Sequence, residues 1–135
     1  METTLRSSTD GRAVLERFLE AEQRGDEQAI QELVHPDVVM EWPQSGERFT
    51  GRDRALAAMA ATEVRPELAG EPRVVGSGDV WVLTMPVRYG SDPSHYVGVY
   101  ELDAGRIRHT TEYFAAPFEA SDARRPFADT PADAG

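Results

Sequence analysis

The chain has 135 residues, which is enough for one domain with a single apolar core. Its formal charge at pH 7 is −10 and every basic residue is arginine, so it should repel phosphate backbones and we expect no nucleic-acid partner. The chain has no cysteine, which excludes disulfides, thiolate catalysis and cysteine-based metal sites.

Membrane association is not expected either. No apolar run approaches the roughly 18 residues that a membrane-spanning helix needs. The first residues, "METTLRSSTDGR", lack the apolar core of a signal peptide. We therefore expect a cytoplasmic protein with no membrane partner.

Helices are predicted in the first half of the chain. From Asp10, apolar residues recur at the spacing of one helix face, and Gly25 marks the end of this helix. A shorter helix begins at Asp26, and the "HPD" that follows ends it, because a proline disfavours a helical residue before it. A third helix is predicted over residues 52–61.

Strands dominate the second half, where the apolar period changes. The stretch "VWVLTMPVRY" alternates between apolar and polar positions, and "HYVGVYEL" and "RIRHTTEYF" follow as two more strands. The connections "GSDPS" and "DAG" predict turns of a meander. Shorter strands are predicted at residues 38–42 and 72–76, and "PQSGERFTG" reads as a turn-rich connection.

This order of elements predicts an α+β fold, with helices packed on one face of a curved sheet. We assign one domain to residues 10–120. The polar segments 1–9 and 121–135 flank it, and their composition predicts flexible ends.

Several short motifs occur together in the first 54 residues: an "xGDxxAIxxL" helix pair, "PD" before the first strand, a proline that ends that strand, and "GR" at the third helix. With the meander and "GRIRHTTEYF", they resemble the nuclear transport factor 2-like superfamily, in particular its SnoaL-like (polyketide-cyclase-like) branch. The resemblance covers roughly residues 10–120. It implies a cone-shaped α+β barrel, with three N-terminal helices packed on a strongly curved, mainly antiparallel sheet. It also implies one enclosed pocket, commonly in a homodimer.

The resemblance does not fix a function, because the superfamily includes isomerases, cyclases, epoxide hydrolases, dehydratases and non-enzymes. Ketosteroid isomerases place a tyrosine and two aspartates at positions that match Phe18, Trp42 and Gly98. Limonene-type epoxide hydrolases need an Arg-x-Asp pair where this chain reads "YVGVY". Neither active site is therefore expected.

A closer local resemblance is to the phenazine-biosynthesis A/B proteins, whose last strand is similar to "GRI…TEYFAAPF". Their pocket glutamate matches Glu112, whereas their histidine in the third helix is replaced by Ala58 or its neighbours. The resemblance thus implies that one acid/base position of these proteins, Glu112, is present in this chain.

Glu112 has two interpretations, a solvated glutamate on a strand or an acid/base group in a pocket. The sequence pattern alone does not decide, because neither face of its strand is uniformly apolar. The resemblance selects an inward set of Arg108, Thr110, Glu112 and Phe114. A carboxylate in an aromatic pocket loses hydration, so its pKa should rise and it could transfer a proton near neutral pH.

Aromatic residues are the predicted substrate-binding residues, although core packing is the alternative for most of them. They are Phe18, Trp42, Tyr89, Tyr96, Tyr100 and Phe114. A buried tyrosine hydroxyl needs a hydrogen-bond partner, so one of the tyrosines could orient a substrate carbonyl or hydroxyl. No two of the three histidines share a ligand spacing with a carboxylate. We predict no metal and no cofactor.

The sequence therefore predicts a protein that binds a small organic molecule. The favoured activity is a cofactor-independent isomerase, cyclase or dehydratase that uses Glu112 as acid/base on an apolar or polyketide-like substrate. A non-catalytic ligand-binding or carrier protein is the alternative. A third possibility is a structural dimerisation module whose pocket is filled by its own aromatic side chains.

Overall fold

A computed structural model describes residues 8–61 and 66–129 and confirms the α+β prediction. The helices are α1 (Ser8–Arg24), α2 (Glu27–Leu33) and α3 (Arg52–Ala60), and a 3-10 helix covers Asp122–Phe127. The strands are β1 (Val34–Trp42), β2 (Glu47–Thr50), β3 (Glu67–Leu68), β4 (Arg73–Ser77), β5 (Val80–Tyr89), β6 (Asp92–Asp103) and β7 (Arg106–Ala115). None of the described helices is long and apolar enough to cross a membrane.

The helices cover one face of the sheet because each has an apolar stripe. α1 buries Val14, Leu15 and Phe18, which recur at helical spacing. The side chain of Asp26 caps α2 by accepting a hydrogen bond from the Ala29 N–H at 3.1 Å. α3 buries Ala55 against the sheet.

The seven described strands form one mixed, mostly antiparallel sheet in the order β2-β1-β7-β6-β5-β3, and β4 also pairs with β5. Only β1 and β7 run parallel to each other in this part of the chain. β5, β6 and β7 form the predicted meander, and their pairing is extensive. The site described below lies on the inner face of these three strands.

Two connections differ from the sequence prediction. The predicted loop "GSDPS" is a two-residue turn at Gly90 and Ser91, because β6 already begins at Asp92 and pairs there with Tyr89. The turn-rich segment after β1 contains a strand that was not predicted, β2, which pairs with β1. The first difference extends the pairing of β5 with β6, and the second adds a strand at the edge of the sheet.

Two irregularities in strand register decide which side chains face inward. In β7, Glu101 pairs with His109 and Leu102 with Ile107, so Arg108 is an extra residue at a bulge. The predicted inward position of Arg108 is therefore wrong: Ile107 is buried instead, and the Arg108 guanidinium donates to the Asp37 carbonyl. The bulge reverses the alternation, so Ile107 and the later residues Thr110 and Glu112 are all buried.

The second irregularity lies in β1, where the register against β7 shifts between Val34 and Val39. The residues "HPD" were predicted to separate a helix from a strand. They lie inside β1 instead, as extra residues of this shift, and α2 ends earlier, at Leu33. Beyond the shift, Met40 pairs with Thr110, which brings the end of β1 beside the inner face of β7.

The predicted flexible ends are described only in part, because residues 1–7 and 130–135 lie outside the described residues. The C-terminal segment is not without structure, since it forms the 3-10 helix at Asp122–Phe127. Ser121 caps this helix through its hydroxyl, and Arg125 pairs with Asp122 at 2.8 Å. Phe127 does not pack on the domain, as 85% of it is exposed.

A close approach of α1 to the sheet depends on Gly11. A Cβ atom at this position would lie 2.1 Å from Nε1 of Trp81, whose side chain is buried and donates to the Gly78 carbonyl at 2.9 Å. Trp81 therefore has little freedom to move away. Helix propensity favours alanine over glycine by about 1 kcal/mol, but this contact acts in the opposite direction.

We expect Gly11→Ala to destabilise the fold by about 1–3 kcal/mol, the usual cost of inserting an atom into a packed site. Urea denaturation of the variant and of the unchanged protein measures the difference. Gly25→Ala gives the cost of backbone strain without a clash, because its φ of 67° is unfavourable for alanine and no neighbouring atom lies within 4 Å of the added Cβ. A gain in stability for Gly11→Ala would contradict the packing described here.

Candidate functional site

Glu112 lies at the centre of the inner face of β7 and is 8% exposed. The bulge at Arg108 and the alternation that follows it place Thr110, Glu112 and Phe114 on this face. Of the two interpretations of the sequence, the solvated surface glutamate does not fit this burial.

Trp42 is the neutral partner of the Glu112 carboxylate. Its indole N–H donates to Oε1 of Glu112 at 3.0 Å, from the end of β1 beside β7. The indole ring packs edge-to-face on Phe49 and Phe114, with ring centroids 4.9 and 5.4 Å away. These contacts fix the direction in which the N–H points.

Gly98 stands opposite Glu112 on β6 and leaves room for two tyrosines. The hydroxyls of Tyr96 and Tyr100, on either side of Gly98, are 2.5 Å apart and form a buried hydrogen bond. A Cβ atom at residue 98 would lie 2.4 Å from the Tyr96 hydroxyl and 2.7 Å from Cε1 of Tyr100. The glycine is thus required for this pair of hydroxyls to lie beside the carboxylate.

The electrostatics of the site favour proton transfer at Glu112. Burial raises the pKa of Glu112, and the hydrogen bond from Trp42 offsets part of that rise. The Tyr96 and Thr110 hydroxyls lower the same pKa more weakly; the geometry of Thr110 falls short of a hydrogen bond. Burial also raises the pKa values of Tyr96 and Tyr100 well above 10.0, so both stay neutral donors.

These groups face a cavity of about 140 Å³ between the sheet and helices α1 and α3. The cavity is lined mainly by aromatic and apolar side chains with few polar groups, the usual character of a small-molecule site. Its described lining residues are Phe18, Leu19, Glu22, Trp42, Met59, Pro66, Leu83, Met85, Tyr89, Tyr96, Tyr100, Glu112 and Phe114.

The structure brings together all seven residues that the sequence predicted for the site. Glu112 and the six aromatic residues Phe18, Trp42, Tyr89, Tyr96, Tyr100 and Phe114 line the same cavity. Their catalytic and binding roles remain predictions. Within residues 8–61 and 66–129, no group of three or more histidine or acidic residues could hold a metal ion.

Sequence reasoning missed part of the lining, above all Glu22. This residue lies one helical turn after Phe18, so it projects from the same face of α1, and that spacing was the available signal. Met59 also lines the cavity, from the predicted third helix, but was not assigned to the site. Pro66 carried no signal in the sequence pattern.

Replacing Glu112 with glutamine is expected to stabilise the fold at pH 7, with a gain that shrinks as the pH falls. Because its folded-state pKa is raised above 4.5, the folded protein binds the proton more tightly than the unfolded chain. Glu112 therefore favours folding at low pH, and this contribution is lost as the pH rises through its folded-state pKa. Glutamine does not titrate. Thermal unfolding of both proteins from pH 4 to pH 8 measures the difference, and a difference that does not vary with pH would contradict the raised pKa.

A known family model matches most of the predicted domain. The family model described as SnoaL-like domain matches residues 15–110. No curated protein matches the chain.

Solved structures share the fold. An NTF2-like protein of unknown function from Burkholderia xenovorans LB400 is 31% identical, with a TM-score of 0.78 over 90% of this chain and 95% of that chain. A candidate ketosteroid isomerase from Kribbella flavida DSM 17836 is 20% identical, with a TM-score of 0.84 over 93% of both chains. A candidate polyketide cyclase from Xanthomonas campestris pv. campestris is 19% identical, with a TM-score of 0.68 over 78% of this chain and 90% of that one. The resemblance predicted from the sequence is confirmed, and the last two similarities extend to the fold alone.

Proposed function

Because the chain belongs to the SnoaL-like domain family, we propose that it binds a small organic molecule and catalyses its isomerisation, cyclisation or dehydration without a cofactor. The substrate is apolar or polyketide-like, and Glu112 moves the proton. The fold neighbours named as a candidate isomerase and a candidate cyclase are consistent with chemistry of this class.

The observation that carries the proposal is a buried carboxylate in an aromatic cavity. Glu112 is 8% exposed and lines the cavity, so it can reach a bound molecule while water is largely excluded. Its raised pKa brings proton uptake and release closer to neutral pH, where a general acid/base is most effective. Glu22 also lines the cavity but is more exposed to solvent.

The Tyr96–Tyr100 pair supports the same step. Each hydroxyl carries one proton, and one proton suffices for the hydrogen bond between the two oxygens. The other O–H can donate to a substrate oxygen or to Glu112. In an isomerisation, Glu112 removes a proton from the carbon next to a carbonyl, the C–H electron pair moves towards the carbonyl oxygen, and the tyrosine O–H stabilises the charge there. The proton then returns from Glu112 to another carbon.

Proton exchange into small ketones tests the proposal without knowledge of the natural substrate. Cyclohexanone and cyclohex-2-enone are incubated with the protein in deuterated water, and NMR follows deuterium at the carbons next to the carbonyl. We expect the unchanged protein to accelerate exchange and Glu112→Gln not to do so. Equal exchange rates with both proteins would refute the role of Glu112.

A non-catalytic ligand carrier is the second candidate, and one contact favours it. The Trp42 N–H already binds Oε1 of Glu112, which restricts the carboxylate and lowers its pKa in part. In that case the cavity binds ring compounds with unchanged affinity in Glu112→Gln, and no exchange above the solvent rate occurs with either protein.

We also propose that the protein is a homodimer, as the sequence resemblance implies, and that it is cytoplasmic, as its composition favours. The outer face of the sheet supports self-association, because Val75, Val80 and Tyr113 lie on it and are 41%, 51% and 38% exposed. Light scattering coupled to size-exclusion chromatography is expected to give twice the chain mass. Val80→Glu is expected to halve that mass; a Val80→Glu protein that stays dimeric would exclude this face.

A further inference from the structure

The cavity has one sign of charge. Its described lining includes the carboxylates of Glu22 and Glu112, and none of these lining residues is arginine, lysine or histidine. The whole chain carries a formal charge of −10, so the field outside the cavity has the same sign. A cleft of one charge sign concentrates molecules of the opposite sign and repels those of its own.

The walls around Glu112 are aromatic. Six of the lining residues carry aromatic rings: Phe18, Trp42, Tyr89, Tyr96, Tyr100 and Phe114. The faces of such rings are electron-rich and attract organic cations, and several rings together form the cages that recognise alkylammonium groups. The Glu112 carboxylate adds a negative charge among these rings, which a cation complements and an apolar ligand does not.

Glu112 lacks a counter-charge among the described residues. Its hydrogen bond comes from the neutral Trp42 N–H, and the other side chains that lower its pKa, Tyr96 and Thr110, are neutral hydroxyls. A buried carboxylate is costly without a cation beside it. A positively charged ligand would supply that partner, whereas an anionic ligand would face the Glu112 carboxylate.

We propose that the cavity binds a compact organic cation: a molecule of about one ring that carries a protonated or quaternary amine, with its charge between Glu112 and the aromatic faces. The cavity volume of about 140 Å³ fits a single ring, because an apolar cavity of about 150 Å³ binds benzene. The proposal rests on the proposed function in one respect, that Glu112 faces the ligand, and it replaces the apolar or polyketide-like substrate class with a cationic one. An amine next to the reacting carbon would keep Glu112 ionised and therefore active as a base.

Three probes with the same ring and different charge test the proposal: benzylammonium, benzyl alcohol and benzoate. Their binding to the full chain at pH 7 is measured by calorimetry and by NMR shifts. Benzylammonium is expected to bind about tenfold more tightly than benzyl alcohol, and benzoate more weakly than either. Equal affinities, a preference for the alcohol or benzoate, or no binding of benzylammonium would overturn the inference.

Two variants assign the effect to the cavity. Glu112→Gln preserves the shape of the side chain and is expected to bring the affinities for benzylammonium and benzyl alcohol within about twofold of each other. Phe114→Leu removes one ring face and is expected to weaken benzylammonium selectively, by about threefold. Glu101→Gln, on the outer face of β6, removes the same charge outside the cavity and should leave the preference unchanged. If Glu101→Gln loses the preference for benzylammonium as fully as Glu112→Gln does, the preference comes from the net charge of the protein and not from the cavity. That result would overturn the inference.

The outcomes separate this inference from the proposed function. If benzyl alcohol binds most tightly but Glu112→Gln still abolishes ketone exchange, the charge preference is wrong and the catalytic role stands. If benzylammonium binds through Glu112 but ketone exchange is the same with and without the carboxylate, the ligand class stands and the catalytic role is wrong.

Discussion

Glu112→Gln is expected to slow proton exchange into small ketones by about 10²–10⁴-fold, the usual contribution of a positioned general acid/base. The amide has nearly the same shape as the carboxylate but cannot take up the proton. The amide oxygen of glutamine can still accept a hydrogen bond from the Trp42 N–H, as Oε1 of Glu112 does at 3.0 Å, so the fold is retained. Exchange rates measured by NMR at equal protein concentration give the ratio.

The matched control for this experiment is Glu101→Gln. Glu101 lies on β6, faces the outer side of the sheet near His109 and contributes nothing to the cavity lining. This variant should exchange at the rate of the unchanged protein. A loss of similar size in both variants would trace the effect to charge or stability, and an unchanged rate in Glu112→Gln would remove Glu112 from the mechanism.

The second large effect is expected at Gly98. An added Cβ atom would lie 2.4 Å from the Tyr96 hydroxyl and 2.9 Å from Cζ of the same ring, in a buried part of the central strand. The ring has to move, which breaks the 2.5 Å hydrogen bond to Tyr100. We expect Gly98→Ala to destabilise the fold by about 1–3 kcal/mol, as measured by urea denaturation, and to lower ketone exchange.

A double variant tests whether the Tyr96 hydroxyl causes that loss. Tyr96→Phe removes the atom that the new Cβ would contact first, so Gly98→Ala combined with Tyr96→Phe should cost less than the sum of the two single changes. Stability should recover in part, whereas exchange should not, because the hydroxyl pair is gone. Additive costs would mean that the two residues do not interact.

Periodicity was sufficient to predict the helices and the meander. α1 and β5 were predicted almost to their ends because each keeps one period over its length and buries one face. Register was not predictable in the same way. The extra residue at Arg108 reverses the alternation of β7, and a bulge of this kind depends on how β6 pairs with β7, which leaves no pattern in β7 alone.

The candidate site was predictable in part for a similar reason. The tyrosines of β6 alternate about Gly98, so one face of one strand could be inferred from the sequence. The contact between Trp42 and Glu112 joins residues 70 positions apart and depends on the parallel pairing of β1 with β7. Glu22 reaches the cavity through the packing of α1 on the sheet, which helical spacing suggests but does not establish.

The titration of Glu112 itself tests the central claim most directly. The side-chain carboxyl carbon of Glu112 is followed by ¹³C NMR against pH and assigned by its absence in Glu112→Gln. A carboxyl group buried among aromatic rings should titrate with a midpoint above 4.5, because burial outweighs the hydrogen bond from Trp42. A midpoint at or below 4.5 would mean that Glu112 is an ordinary hydrated carboxylate, and would contradict its assignment as the proton-transfer group.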